Sequence, residues 1–198
     1  MRVEGAPEAL ELAGWDGGGA EGPVVVLGDG RWQVAGGRVV GPTGADLWRR
    51  MPWPVRDSLF DLAPLADPAA VLVVGDESVA ERLRANGGDV AFAERLTLDG
   101  LRGAGVVVLL EGHGALPAPA MAVLAARRVL VADATEVTFG LQDGIEFLAA
   151  ASPEQAVARA EVARVHPDAV RPLRVMGARA ARDHRASTVY PRLVADLA

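Results

Sequence analysis

Residues 106–144, which read VVVLLEGHGALPAPAMAVLAARRVLVADATEVTFGLQDG, decide the fold. The apolar run at 106–110 predicts a strand buried on both faces, and the glycine-bearing residues after it predict a turn. An alanine-rich helical pattern follows, and a second apolar run at 129–132 ends in Asp133. Strand, helix and strand in this order predict a βαβ unit with residues 111–114 at the carboxyl end of its first strand. Open α/β sheets bind their ligands at that end.

The same alternation extends from residue 69 to the end of the chain. Five strands are predicted, at 70–74, 90–93, 106–110, 129–132 and 146–150. Helices are predicted at 78–86, 117–126, 153–165, 168–185 and 188–197, and a short helix or turn is predicted at 97–102. Ser78 is expected to cap the first helix, and Ser152-Pro153-Glu154-Gln155 has the form of a capping box with proline at the first helical position. Strands alternating with helices predict an α/β fold with a doubly wound, mostly parallel five-stranded sheet.

The first 68 residues differ in pattern from the rest. Short β-like stretches at 24–27, 32–34 and 38–40 flank glycine turn signals, which predicts a hairpin or small meander. Residues 41–68 contain five prolines, and proline blocks continuous helix or strand. We therefore expect a small β-rich N-terminal segment with a proline-rich connector at 1–68, followed by a Rossmann-like domain at 69–198.

Composition excludes several classes of site. The chain has no cysteine, which rules out disulfides and thiolate metal ligands, and three scattered histidines offer no metal-binding spacing. A net charge of −6 without a basic stripe argues against a nucleic-acid partner. No apolar run approaches the roughly 20 residues that span a bilayer, and residues 1–19 show no signal core. The expected location is the cytoplasm, and no cofactor is expected.

Several motifs, taken in order, carry a resemblance to a known family. Glu111-Gly112-His113-Gly114 is followed, in register, by Ala120-Met121-Ala122 at the end of the helical pattern. The chain in this region resembles the carboxyl-terminal, nucleotide-sugar-binding half of the bacterial "group 1" GT-B glycosyltransferases. The segment WRRMPWPVRDSLF at 48–60 looks like the entry connector of the spore-maturation (CgeB-like) branch. The segments MGAR at 176–179, DHRAS at 183–187 and VYPRL at 189–193 look like the closing helices of the family. The resemblance covers residues 48–198.

The resemblance implies a donor site for a nucleoside-diphosphate sugar. Its expected residues are those at the carboxyl ends of three strands: Gly75, Glu111, Gly112, His113, Gly114 and Asp133. A strand-end carboxylate accepts two hydrogen bonds from a ribose diol, and small residues in the turn let backbone N–H groups approach phosphates. The reaction it implies is sugar transfer in cell-envelope polysaccharide metabolism. No catalytic base is identified.

This chain also departs from the family pattern. Pro119 occupies the position of a second, ribose-binding glutamate, and Asp76 and Glu77 follow Gly75 where the family often has a basic residue. Only about 68 residues precede the first strand of the predicted five-stranded sheet, whereas an acceptor-binding half needs about 150. These departures support an alternative: a non-catalytic GT-B-like protein that acts as a binding or assembly partner, as a homo-oligomer or with a separate acceptor-domain protein.

For several candidate site residues, the sequence allows both a functional and a structural role. Glu111 either binds a donor diol or is a solvated strand-end carboxylate, and His113 either serves in acid/base or phosphate chemistry or is a loop histidine. Asp133 is a candidate polar lining of the cleft. The sequence GDESVA lacks the three-glycine spacing of a dinucleotide site. Arg127-Arg128 could clamp a phosphate, but the pair precedes the fourth predicted strand, at the end opposite the presumed cleft, and is interpreted as a surface pair.

Overall fold

The computed structural model describes residues 2–5, 7–15, 24–28, 31–34, 54–63, 65, 67–110, 117–133 and 141–197. The predicted strand at 38–40 and the glycine turns at 29–30 and 36–37 lie outside these residues.

A five-stranded parallel sheet forms the centre of the molecule. Three earlier strands, β1 (Arg2–Gly5), β2 (Val24–Gly28) and β3 (Arg31–Val34), belong to a separate small sheet. The strands of the five-stranded sheet are, in chain order, β4 (Val71–Val74), β5 (Val90–Ala93), β6 (Val106–Leu109), β7 (Val129–Ala132) and β8 (Leu148–Ala149). Their spatial order is β5-β4-β6-β7-β8, and all four pairings are parallel. The predicted doubly wound α/β fold is therefore confirmed.

Helices cover the sheet on both faces. The helices are α1 (Pro7–Leu12), α2 (Glu77–Ala85), α3 (Leu98–Gly103), α4 (Pro117–Ala125), α5 (Pro153–Val165), α6 (Arg171–Ala180) and α7 (Ala186–Leu197). A hydrophobic core lies on each face of the sheet. Because successive side chains of a strand point to opposite faces, alternate residues of each strand are buried in different cores. Leu72 and Val74 pack with α3 and α4, whereas Val71 and Val73 pack with α2 and α5.

Helix α6 crosses from one core to the other. Leu173, near its beginning, is buried with α2 and α5, but Ala181, just after its end, is buried with α3 and α4. Gly177 makes the crossing possible, because a Cβ there would lie 2.7 Å from Leu124 Cδ2 and 3.1 Å from the Glu146 carbonyl oxygen. Since Glu146 shortly precedes β8, the helix passes the amino ends of the strands.

The N-terminal part forms a second, three-stranded sheet of order β1-β2-β3. Strands β2 (Val24–Gly28) and β3 (Arg31–Val34) pair antiparallel, which confirms the predicted hairpin. Strand β1 (Arg2–Gly5) pairs parallel with β2, and neither this strand nor its pairing was predicted from the sequence. The end of α1 and the connector are buried in the core that contains α3 and α4, through Leu12, Val55 and Leu59.

The carboxyl-terminal residues form hydrogen bonds and a ring contact with this N-terminal part. The Val55 N–H donates to the His184 carbonyl oxygen, and the Tyr190 hydroxyl donates to the Ala13 carbonyl oxygen at 2.9 Å. The rings of Trp15 and Tyr190 meet edge to face with centroids 5.1 Å apart. In the described part of the chain, no helix combines the length and apolar character needed to cross a bilayer.

Candidate functional site

The sheet has a topological switch point between β4 and β6. Helix α2 leaves β4 on one face and leads to β5, whereas the helix after β6, α4, lies on the opposite face. The helices that follow these two adjacent strands therefore lie on opposite faces of the sheet, the arrangement that creates a crevice at the carboxyl edge of doubly wound folds. Doubly wound proteins with this strand order bind ligands at that place.

The strand register aligns the residues of this edge. The last paired positions are Ala93, Val74, Leu109, Ala132 and Ala149. One residue further along each strand stand Glu94, Gly75, Leu110, Asp133 and Ala150. Since neighbouring strands are about 4.8 Å apart, Gly75 and Asp133 lie about 10 Å from each other across the edge. The structure thus puts two of the predicted site residues, Gly75 and Asp133, on the same edge.

Gly75 turns the chain sharply away from β4. Its φ of +91° is in the region that favours glycine, and its N–H donates to the Ala93 carbonyl oxygen at 3.1 Å. The turn closes the end of β4 against β5 and directs the chain into α2.

Asp76 occupies the N-terminus of α2. Its Oδ1 accepts hydrogen bonds from the Ser78 backbone N–H at 3.0 Å and from the Ser78 hydroxyl at 2.7 Å. The predicted cap, Ser78, was therefore wrong by two residues: Asp76 is the cap, and Ser78 donates to it. A carboxylate already satisfies the N–H group that an anionic ligand would use, so the first helix N-terminus of the crevice is occupied by the chain itself.

The remaining predicted site residues, Glu111, Gly112, His113 and Gly114, lie outside the described residues. The residues on either side of them are described. Leu110 still pairs with β4, because its N–H donates to the Val74 carbonyl oxygen at 3.3 Å, and Pro117 begins α4. Residue 111 therefore directly follows a residue of the switch-point edge.

Asp133 follows β7 on the same edge as Leu110. It is half-buried and engaged in an interaction of its own. In the register of β6 with β7, Asp133 is level with Leu110. The described residues contain no group of three histidine, aspartate or glutamate side chains that could hold a metal ion.

Arg127 and Arg128 were predicted to form a surface pair, and this prediction is wrong for Arg128, which is buried. Arg127 is exposed, with φ of 57°, but Arg128 is only 5% exposed. Its Nε donates to the Leu101 carbonyl oxygen at 2.9 Å. The register explains the burial: Arg128 precedes β7 at the amino edge of the sheet, on the face that α3 covers. The residue was missed because arginine next to arginine is typical of solvent-exposed sequence.

The two described histidines have structural positions. His166 ends α5, where its N–H donates to the Val162 carbonyl oxygen at 3.0 Å. His184 uses its carbonyl oxygen to bind Val55. No family model matches this chain, and a search of curated proteins finds no match either.

Proposed function

We propose that the crevice between β4 and β6 binds the nucleoside-diphosphate part of a sugar donor, and that the chain is a glycosyltransferase-like protein. The observation that carries the proposal is the switch point. The motif Glu111-Gly112-His113-Gly114, on which the sequence resemblance depends, begins one residue after the strand edge where such folds bind ligands.

The chemistry of the edge supports a hydroxyl-rich ligand. Glu111 is the residue proposed to accept hydrogen bonds from the ribose diol. Asp133 follows the adjacent strand, level with Leu110 in the register of β6 with β7, and is the proposed second carboxylate of this edge. Backbone N–H groups of Gly112 and Gly114 are the proposed donors to the diphosphate.

Asp76 restricts where the diphosphate can lie. Because its carboxylate caps α2, a diphosphate placed there would displace two hydrogen bonds and face a negative charge. We therefore assign the diphosphate to the β6–α4 side of the crevice and not to the β4–α2 side.

Thermal unfolding with UDP-, GDP- and TDP-sugars tests the proposal. A ligand at 100 times its dissociation constant stabilises the folded state by roughly 2.7 kcal/mol. Glu111→Gln should greatly reduce this stabilisation, whereas Glu81→Gln, an exposed change on α2, should leave it intact. Absence of any shift at millimolar concentration of all three ligand types would refute donor binding.

A second candidate function is assembly without catalysis. The Asp76 cap favours it, since it removes one of the two helix N-termini that a diphosphate would use. On this alternative, the protein forms a defined oligomer or a complex with an acceptor-domain protein. Light scattering coupled to size exclusion measures the mass in solution, and a strict monomer that also binds a sugar nucleotide would contradict the alternative.

A further inference from the structure

The amino edge of the sheet, opposite the proposed donor crevice, contains two arginines that form no salt bridge among the described residues. Arg128 precedes β7, and Arg174 belongs to α6, the helix that passes beneath the strands. Neither is required by the proposed donor site, because a four-residue strand separates the two edges by about 13 Å.

Arg128 uses one of its five N–H donors. Its Nε binds the Leu101 carbonyl oxygen in the last turn of α3, and no other hydrogen bond is formed with the described residues. The residue is only 5% exposed, but its two terminal nitrogens are not fully buried, in contrast to the Nε of Arg174. The unpartnered end of the guanidinium therefore still touches solvent.

Arg174 is also incompletely satisfied. Its Nη2 donates to the Pro68 carbonyl oxygen at 3.3 Å, a long contact, and its Nε is buried with no partner. Unmade hydrogen bonds to a buried charged group are costly.

Backbone contacts connect the two arginines. Pro68 lies directly on Gly105, where a Cβ would be 2.0 Å from the Pro68 carbonyl oxygen. Gly105 is level with Arg128 in the parallel pairing of β6 with β7, and its carbonyl oxygen accepts from Val129 at 3.0 Å. Arg174, Pro68, Gly105 and Arg128 thus follow one another along the amino edge.

The electrostatics agree with this proximity. Burial, and then the positive charge of Arg174, lower the pKa of Arg128 to about 10. Burial also lowers the pKa of Arg174, and the negative charge of Asp168 acts in the opposite direction. Arginine is charged at neutral pH, so two like charges lie close together at this edge, with Asp168 as the carboxylate that acts on Arg174.

We propose that Arg128 and Arg174 bind a phosphate group at the amino edge of the sheet. Phosphate offers several acceptor oxygens to the unpartnered N–H donors, and guanidinium groups match its geometry. Its negative charge of between one and two at neutral pH offsets more of the positive charge of the two arginines than a carboxylate does. The ligand is inorganic phosphate or the phosphate of a small organic ester.

Binding is measured by titrating the protein with inorganic phosphate, glycerol phosphate and acetate at constant ionic strength and following chemical shifts. We expect saturable binding of phosphate in the millimolar range or tighter and much weaker binding of acetate. Preference for glycerol phosphate over inorganic phosphate identifies an organic ester as the ligand, and the reverse identifies the free ion. Arg174→Gln should weaken phosphate binding at least tenfold, while Arg179→Gln, the same charge change at an exposed position of α6, should leave it within twofold.

Two outcomes would overturn the proposal. One is that phosphate binding does not saturate at up to a 20-fold molar excess of phosphate over protein at millimolar concentration. The other is that Arg174→Gln and Arg179→Gln weaken phosphate binding equally. Since Arg128 is buried, Arg128→Lys serves as the second variant. It keeps the charge but loses the planar donor fork, and folded protein that binds phosphate as tightly as the wild type would also count against the site. Sugar nucleotides do not enter this test, so its outcome is independent of the donor crevice.

Discussion

The carboxylate of Asp76 accepts both the backbone N–H and the hydroxyl of Ser78, at 3.0 and 2.7 Å. These two bonds fix the first turn of α2 at the edge of the switch-point crevice. They also put a negative charge where many doubly wound proteins receive a phosphate. The pair therefore links the stability of the fold to the ligand preference of the site.

Substitution of Asp76 separates these two effects. Asp76→Ala should lower the free energy of unfolding by about 1 kcal/mol through loss of the cap, while Asp76→Ser should keep it within about 0.5 kcal/mol. Because Asp76→Ser also removes a negative charge, a sugar nucleotide should bind this variant several-fold more tightly than the wild type. Urea unfolding and calorimetric titration measure the two quantities. Equal destabilisation by both variants would contradict the cap.

Gly105 tests the packing of the amino edge. A Cβ at this position would lie 2.0 Å from the Pro68 carbonyl oxygen and 2.5 Å from its carbonyl carbon, and backbone atoms cannot move aside cheaply. Gly105→Ala should destabilise the protein by roughly 3 kcal/mol, the upper end of the usual cost of overpacking. Gly103→Ala is the matched control, since nothing lies within 4 Å of its Cβ. It should be neutral or stabilise by up to about 1 kcal/mol in thermal unfolding. Similar losses in both variants would contradict the close contact.

The pair of Arg82 and Glu154 joins α2 to α5 at 2.8 Å and gives a pH-dependent contact. The hydrogen bond from Arg82, followed by those from the Glu154 backbone and Ser152, lowers the pKa of Glu154 from 4.5 to about 2. A depressed carboxyl pKa contributes stability that is complete above pH 4.5 and is lost as the pH falls through about 2.

Carboxyl-carbon resonances followed from pH 6 to pH 1.5 measure this pKa directly. Arg82→Gln should raise the pKa of Glu154 towards its ordinary value. Arg84→Gln, in the same helix, should not, because the Arg84 Nε binds the Val90 carbonyl oxygen. Both side chains of the pair are half or more exposed, so 1 M salt should also reduce the shift. An ordinary pKa in the wild type would contradict the contact.

The sequence predicted most of the sheet because its strands are continuous apolar runs. The bounds of β5 and β7 agree with the predicted 90–93 and 129–132, and α5 begins after Ser152, whose Oγ accepts from Gln155. Strand β8 is shorter than the predicted 146–150, since Glu146 instead accepts the Gln142 N–H and Phe147 bridges to Asp143.

Features that depend on distant partners could not be predicted. Strand β1 has a mixed, polar sequence and exists through its pairing with β2, more than 20 positions along the chain. The burial of Arg128 depends on a helix 27 residues earlier. At the site, the sequence predicted Gly75 and Asp133 at the same edge of the sheet, but the position of Asp76 as the cap required the geometry of the turn.

Amide hydrogen exchange with a UDP-, GDP- or TDP-sugar tests the central claim, ligand binding at the switch-point crevice, most directly. The account predicts slower exchange in peptides that cover 109–117 and 132–134, little change at 77–85, and loss of the effect in Glu111→Gln. Unchanged exchange at 109–117 with all three sugar nucleotides at millimolar concentration would contradict the claim, as would protection confined to the start of α2.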